Sequence, residues 1–111
     1  MNKEKLASVG IDYTNAIRRF AGKEDIYDKY LVKFKSDTHM ELAEKAFEEQ
    51  DYSGVLNEIH TLKGVVGTLG MDALYEACSE VVAAIRANNM EHLDVLLQKV
   101  ETEQKKVMSI L

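Results

Sequence analysis

The residues whose types and spacing could do chemistry lie between Asp51 and Met71, in the run DYSGVLNEIHTLKGVVGTLGM. At about 100° per residue, Tyr52, Val55, Ile59, Leu62, Val65, Val66 and Leu69 gather on one broad apolar arc, the width of a helix face set into a core. His60 falls well outside that arc, with Ser53, Leu56, Gly64 and Gly67 as its angular neighbours. Glycine inside a helix costs roughly 1 kcal/mol relative to alanine, so two of them, one and two turns beyond a histidine, need a reason. The pattern offers access as that reason: Gly64 and Gly67 leave the surface beside the ring bare, so another molecule can approach. Lys63 stands one turn on at the flank, where its ammonium can swing toward an anion on the imidazole. An exposed imidazole, a nearby cation and a cleared surface fit a histidine that carries a phosphoryl group. Imidazole, with an ordinary pKa near roughly 6.5, is mostly neutral and nucleophilic at neutral pH.

The elements that must position His60 are helical throughout. Asp51 caps the histidine helix and Gly70 closes it. Upstream, Asn2 to Val9 reads as a short helix broken by Gly10. Asp12 then caps a helix through about Ala21, with Gly22 at its end. Tyr13, Ile17 and Phe20 give this segment one apolar stripe, and it is expected to lie across the rest of the molecule as a lid. From Lys23 a new seam of Ile26, Tyr27, Tyr30, Leu31 and Phe34 begins, with Glu24 and Asp25 at its positive start. Ser36 or Asp37 caps the following helix, in which Met40, Leu42, Ala43, Ala46 and Phe47 face inward; the two segments could run on as one bent helix. After Gly70, Met71, Leu74, Tyr75, Cys78, Val81, Val82 and Ile85 form a seam that ends near Asn88. The last helix spans about Met90 to Ser109, and Gln104 interrupts its stripe as though the final turns leave the core. Short connections between long amphipathic helices force antiparallel neighbours. The expectation is all-α: one domain over 1–111, with an N-terminal helical lid over 1–22 and an up-down antiparallel four-helix bundle over 23–111.

Composition excludes several functions. A chain of 111 residues is one domain, with no room for a nucleotide-binding domain beside the core. A formal net charge of −5, with scattered basic residues, argues against nucleic acid. No apolar run reaches membrane-spanning length, and no signal-peptide pattern opens the chain. One cysteine makes no internal disulfide, so a reducing cytoplasm is the simpler expectation. The opening methionine is compatible with a free-standing module. Every seam is needed for its own core, so a monomer is expected.

His60-Thr61-Leu62-Lys63-Gly64, followed by Gly67 and Leu69-Gly70, resembles the signature of histidine-containing phosphotransfer (HPt) domains, the relay modules of two-component signalling. Gly10-Ile11-Asp12, Arg18-Arg19-Phe20, Gly22, Ile26-Tyr27 and Phe34 are similar to that family's usual run-up, so the likeness covers nearly the whole chain. The resemblance implies a phosphoryl carrier rather than an ATP-dependent kinase, and the sequence holds no Gly-rich phosphate loop. His60 would be the phosphoacceptor and Lys63 would stabilise the phosphoryl group, with Leu56, Gly64 and Gly67 at the docking face. The implied partners are the receiver domains of response regulators and of a hybrid histidine kinase. Magnesium would sit on the partner receiver, and this chain would need no cofactor of its own. The sequence departs from the pattern at one point. Many members hold the second ring nitrogen with a Gln or Glu on the next helix, where this chain has Val82; Ser79 or Glu80 could reach instead.

Plainer readings stand beside these. Lys63 could be a solvated lysine whose stem covers the core edge, and Gly64 could be selected by close packing against a neighbouring helix. His39, His60 and His92 lie on three different helices without paired ligand spacing, which speaks against a metal site. Cys78 reads as a small core residue. The rival function is a non-catalytic helical adaptor, with Leu56 as an exposed docking residue.

Overall fold

The computed structural model describes residues 3–111, and these form seven helices: α1 (Lys3–Ser8), α2 (Tyr13–Arg19), α3 (Glu24–Phe34), α4 (His39–Glu48), α5 (Tyr52–Thr68), α6 (Asp72–Arg86) and α7 (Leu93–Met108). The expected start of the first helix at Asn2 lies outside the described residues. The helices α4 and α5 pack together, as do α5 and α6, then α6 and α7, and α7 also touches α4. Leu31, Val55, Ile59, Leu62, Leu74, Val81, Leu93 and Val100 are fully enclosed in the core this makes.

The turns are set by local chemistry. Asp51 accepts the Gly54 N–H at 2.9 Å and starts α5, while its own N–H caps the Ala46 carbonyl at 2.8 Å, so one residue ends α4 and begins α5. At the far end Gly70 takes a φ of +73°, which lets the Met71 N–H return to the Val66 carbonyl at 2.9 Å. That paired-carbonyl closure is the favoured way to end a helix. A side chain is barred from Gly70 by packing as well, because a Cβ there would stand 2.7 Å from that of Ala16.

Several expectations are corrected. The helix α2 stops at Arg19, and two left-handed residues end it, Ala21 (φ 55°) as well as the expected Gly22 (φ 74°), whose N–H returns to the Ile17 carbonyl at 2.9 Å. The N-cap of α4 is Thr38, which makes no side-chain cap; Asp37 accepts the His39 N–H at 2.9 Å from one residue upstream. The α3 and α4 segments are two helices, not one bent helix. Leu42, placed inward by periodicity, is 46% exposed, and Tyr30 is 47% exposed. Gln104 does not mark an exit from the core: it is only 9% exposed, and Val107 beyond it is fully buried.

The N-terminal helices fasten onto the corner between α5 and α6. The Asp12 N–H donates to the Gly70 carbonyl at 2.8 Å, and Ile11 and Met71 form an isolated antiparallel bridge. Arg19 Nη1 donates to the Gly67 carbonyl at 2.7 Å, and the buried Tyr27 hydroxyl donates to the Leu69 carbonyl at 2.6 Å. The end of α5, which would otherwise show unpaired carbonyls, is thereby tied down by α2 and α3.

Candidate functional site

Helix α5 presents its two faces as periodicity requires. Val55, Ile59, Leu62 and Val66 are buried, and His60 is exposed on the opposite side. No hydrogen bond joins the His60 ring to another described residue. One turn on, Gly64 faces open space: a Cβ built there would meet nothing within 4 Å. The packing alternative for Gly64 therefore fails, and the surface beside the imidazole is bare.

Gly67 has a different reason to be small. A Cβ there would lie 3.1 and 3.2 Å from two carbons of the Tyr75 ring on α6, so that aromatic side chain fills the space next to it. Lys63 is half-buried, with its Nζ over the face of the same ring, 5.4 Å from the centroid. Leu56 is half-buried against the core rather than standing free. The five positions singled out in the sequence thus divide. His60 and Gly64 share an open surface, Lys63 and Gly67 are both in contact with Tyr75, and Leu56 belongs partly to the interior.

The ring-orienting contact stays unfilled. Val82 is 2% exposed and belongs to the core. Ser79 gives its hydroxyl proton to the Tyr75 carbonyl at 2.9 Å, and Glu80 pairs with Lys99 at 3.1 Å, so both proposed substitutes are engaged elsewhere.

Beside the open face of α5 runs a groove of about 990 Å³, walled by Phe20, Tyr30, Phe34 and His39 across from Thr61 and Gly64. Periodicity could not have found it, because its walls come from the residue that follows α2, from α3, the start of α4, and α5. Tyr30, which the sequence places in an inward seam, is instead an exposed part of its wall. His39 is oriented there by Asp37, whose two carboxylate oxygens lie 3.0 and 2.9 Å from Nδ1. Among the described residues no three His, Cys, Asp or Glu side chains come together as metal ligands. Cys78 is buried, and burial pushes its thiol up to about 12, so it stays a protonated core residue rather than a nucleophile. No described helix is long and apolar enough to cross a membrane.

The family model described as the Hpt domain covers residues 31–108, a span that contains α5 with His60 and the whole of α4, α6 and α7. No curated protein and no solved structure matches the chain.

Proposed function

This chain belongs to the Hpt domain family, which implies histidine phosphotransfer in two-component signalling, and from that premise we propose that His60 is its phosphoacceptor. In this reading the protein takes a phosphoryl group from an aspartate of a hybrid kinase's receiver domain and passes it to the receiver of a response regulator. The observation that carries the assignment is the bare surface at Gly64, next to an exposed His60, on a helix inside the matched span. A receiver domain must bring its aspartyl phosphate within bonding distance of a ring nitrogen, and a side chain at position 64 would stand in the way.

The chemistry asks little of this chain. The neutral imidazole nitrogen donates its lone pair to phosphorus as the bond from phosphorus to the aspartyl oxygen breaks, and the carboxylate leaves. Such transfers depend on in-line placement and positive charge more than on covalent help. The magnesium ion on the partner receiver would supply most of that charge, and Lys63 would add to it. Water would complete the hydrogen bonding of the second ring nitrogen, since Val82 offers no partner. The segment 23–111, with α3 to α7, would be the up-down antiparallel four-helix bundle of such a carrier, with α1 and α2 as its lid, acting as a monomer in the cytoplasm. The apolar groove beside Gly64 would take part in receiver docking.

The test is incubation with a phosphorylated receiver domain. Acid-labile, base-stable label should appear on the wild-type protein and vanish in His60→Gln, while helical circular dichroism and melting temperature stay nearly unchanged because the ring is exposed. Label that persists in His60→Gln would remove the assignment. A wild-type protein that bound the receiver without taking label would be the non-catalytic adaptor.

A further inference from the structure

Lys63 lies one turn from His60, yet its ammonium rests on the Tyr75 ring. That ring also fills the space beside Gly67, seven residues past His60 and so about 10 Å further along α5. The lysine side chain is therefore directed along the helix toward Gly67, away from the imidazole. A second effect agrees with this placement: the Lys63 charge acts on the Cys78 thiol, one turn beyond Tyr75 on α6, and opposes the upward push of burial there. Tyr75 itself is 37% exposed, so its ring face is open to the cation rather than lost in the core.

We infer that Tyr75 is a positioning residue that holds the Lys63 ammonium off His60 until a phosphoryl group arrives, and that Gly67 is small so that the ring can lie there. The inference rests on the reading of His60 as phosphoacceptor. An ammonium over an aromatic face is attracted by the ring's quadrupole, and a phosphoryl group on His60 competes for the same cation. The ring thereby sets how freely Lys63 serves the phosphorylated state. Any water that attacks the phosphohistidine forms its oxygen–phosphorus bond as the phosphorus–nitrogen bond breaks, and the electron pair returns to the ring. A free Lys63 favours the phosphorylated state over that loss.

The experiment labels the protein with a small phosphodonor and follows loss of the label. Tyr75→Leu should retain the phosphoryl group about two- to fivefold longer than wild type, the range expected for an exposed cation–π contact. Tyr75→Phe, which keeps the ring face, should match wild type. In a Lys63→Ala background, Tyr75→Leu should change nothing, a result that a purely structural role for Tyr75 would not produce. A second measurement needs no variant: in the unlabelled wild-type protein the Lys63 ε-methylene protons should be shifted upfield by the ring and should move back on phosphorylation. Equal lifetimes in Tyr75→Leu and wild type, or an effect that survives Lys63→Ala, would overturn the inference, as would the lack of the upfield shift in a protein that labels normally. A wild-type protein with the upfield shift but no label at His60 would remove the relay reading itself, and Tyr75's part in it.

Discussion

At Gly64 two demands on α5 oppose each other. Helix stability favours any residue but glycine or proline at an interior position, and the open surface leaves room for one. Access to His60 favours glycine. Gly64→Leu should therefore raise stability by about 1 kcal/mol or slightly less, the difference in helix propensity, and obstruct a receiver domain at the same time. A small phosphodonor needs far less room, so chemical labelling should persist while transfer from a phosphorylated receiver slows at least tenfold. Transfer at the wild-type rate would show that this face is not the docking surface. The same substitution at Gly67 meets the Tyr75 ring at close contact, so the gain in propensity there is offset by displacement of the aromatic. Sequence periodicity made these two glycines equivalent. Only the packing of α6 against α5 separates them, because the position of the Tyr75 ring is a tertiary fact that no pattern within α5 contains.

The helices themselves were largely legible, and for identifiable reasons. Asp12 and Asp51 are caps that accept the N–H three residues on, a local interaction that the sequence alone can specify. Burial on α5 follows its apolar arc because that helix has neighbours along most of its length. The pattern failed where a helix lacks a neighbour on one side, as at Leu42 and Tyr30, and at Gln104, where the contact of α7 with α4 buries a polar residue. At that contact Glu44 and Glu101 share a hydrogen bond, which holds Glu44 up at about 7, while the same bond and Lys105 at 2.7 Å hold Glu101 below the usual carboxylate range. The sign follows from Glu44, whose folded state keeps its proton where the unfolded chain has lost it. Its stabilising contribution is full below the unfolded value of 4.5 and is lost as pH rises through about 7. Glu101 works in the opposite sense, with stability lost only as pH falls below the ordinary carboxylate range. Glu44→Gln keeps a donor toward Glu101 at every pH. It should therefore gain on wild type in melting temperature between about pH 5 and about pH 8.5, by the equivalent of about 1 kcal/mol or less, since both carboxylates are partly solvated. Parallel melting curves at the two pH values would show that the shared proton contributes nothing.

At the scale of the molecule, the matched Hpt span begins within α3, so α1, α2 and the first part of α3 lie outside it. These helices nonetheless tie down the end of the helix that bears His60. Tyr27 is their deepest anchor: fully buried, it stacks edge-on against Tyr13 at 5.5 Å and Phe20 at 5.4 Å, and its hydroxyl reaches the Leu69 carbonyl. Phe20 and Leu69 also line the groove beside Gly64, so the anchor and the candidate docking surface share residues. Tyr27→Phe keeps the ring and its stacking and removes only the donor, which leaves the Leu69 carbonyl without that partner. An unsatisfied buried acceptor costs about 1–3 kcal/mol, and for a domain of this size the melting temperature should fall by roughly 4–12 °C. His60 lies nine residues, or about 13 Å, before Leu69 along α5, too far for the loss to reach the imidazole directly. Labelling by a small phosphodonor should therefore be unchanged well below the melting transition. Transfer from a phosphorylated receiver should weaken, because the groove wall carrying Phe20 is held against α5 partly by this bond. A variant that melts like wild type would show that the hydroxyl is not an anchor. One that loses stability yet accepts from the receiver at the wild-type rate would place docking entirely on α5 and its immediate neighbours, with the N-terminal helices as stabilisers alone.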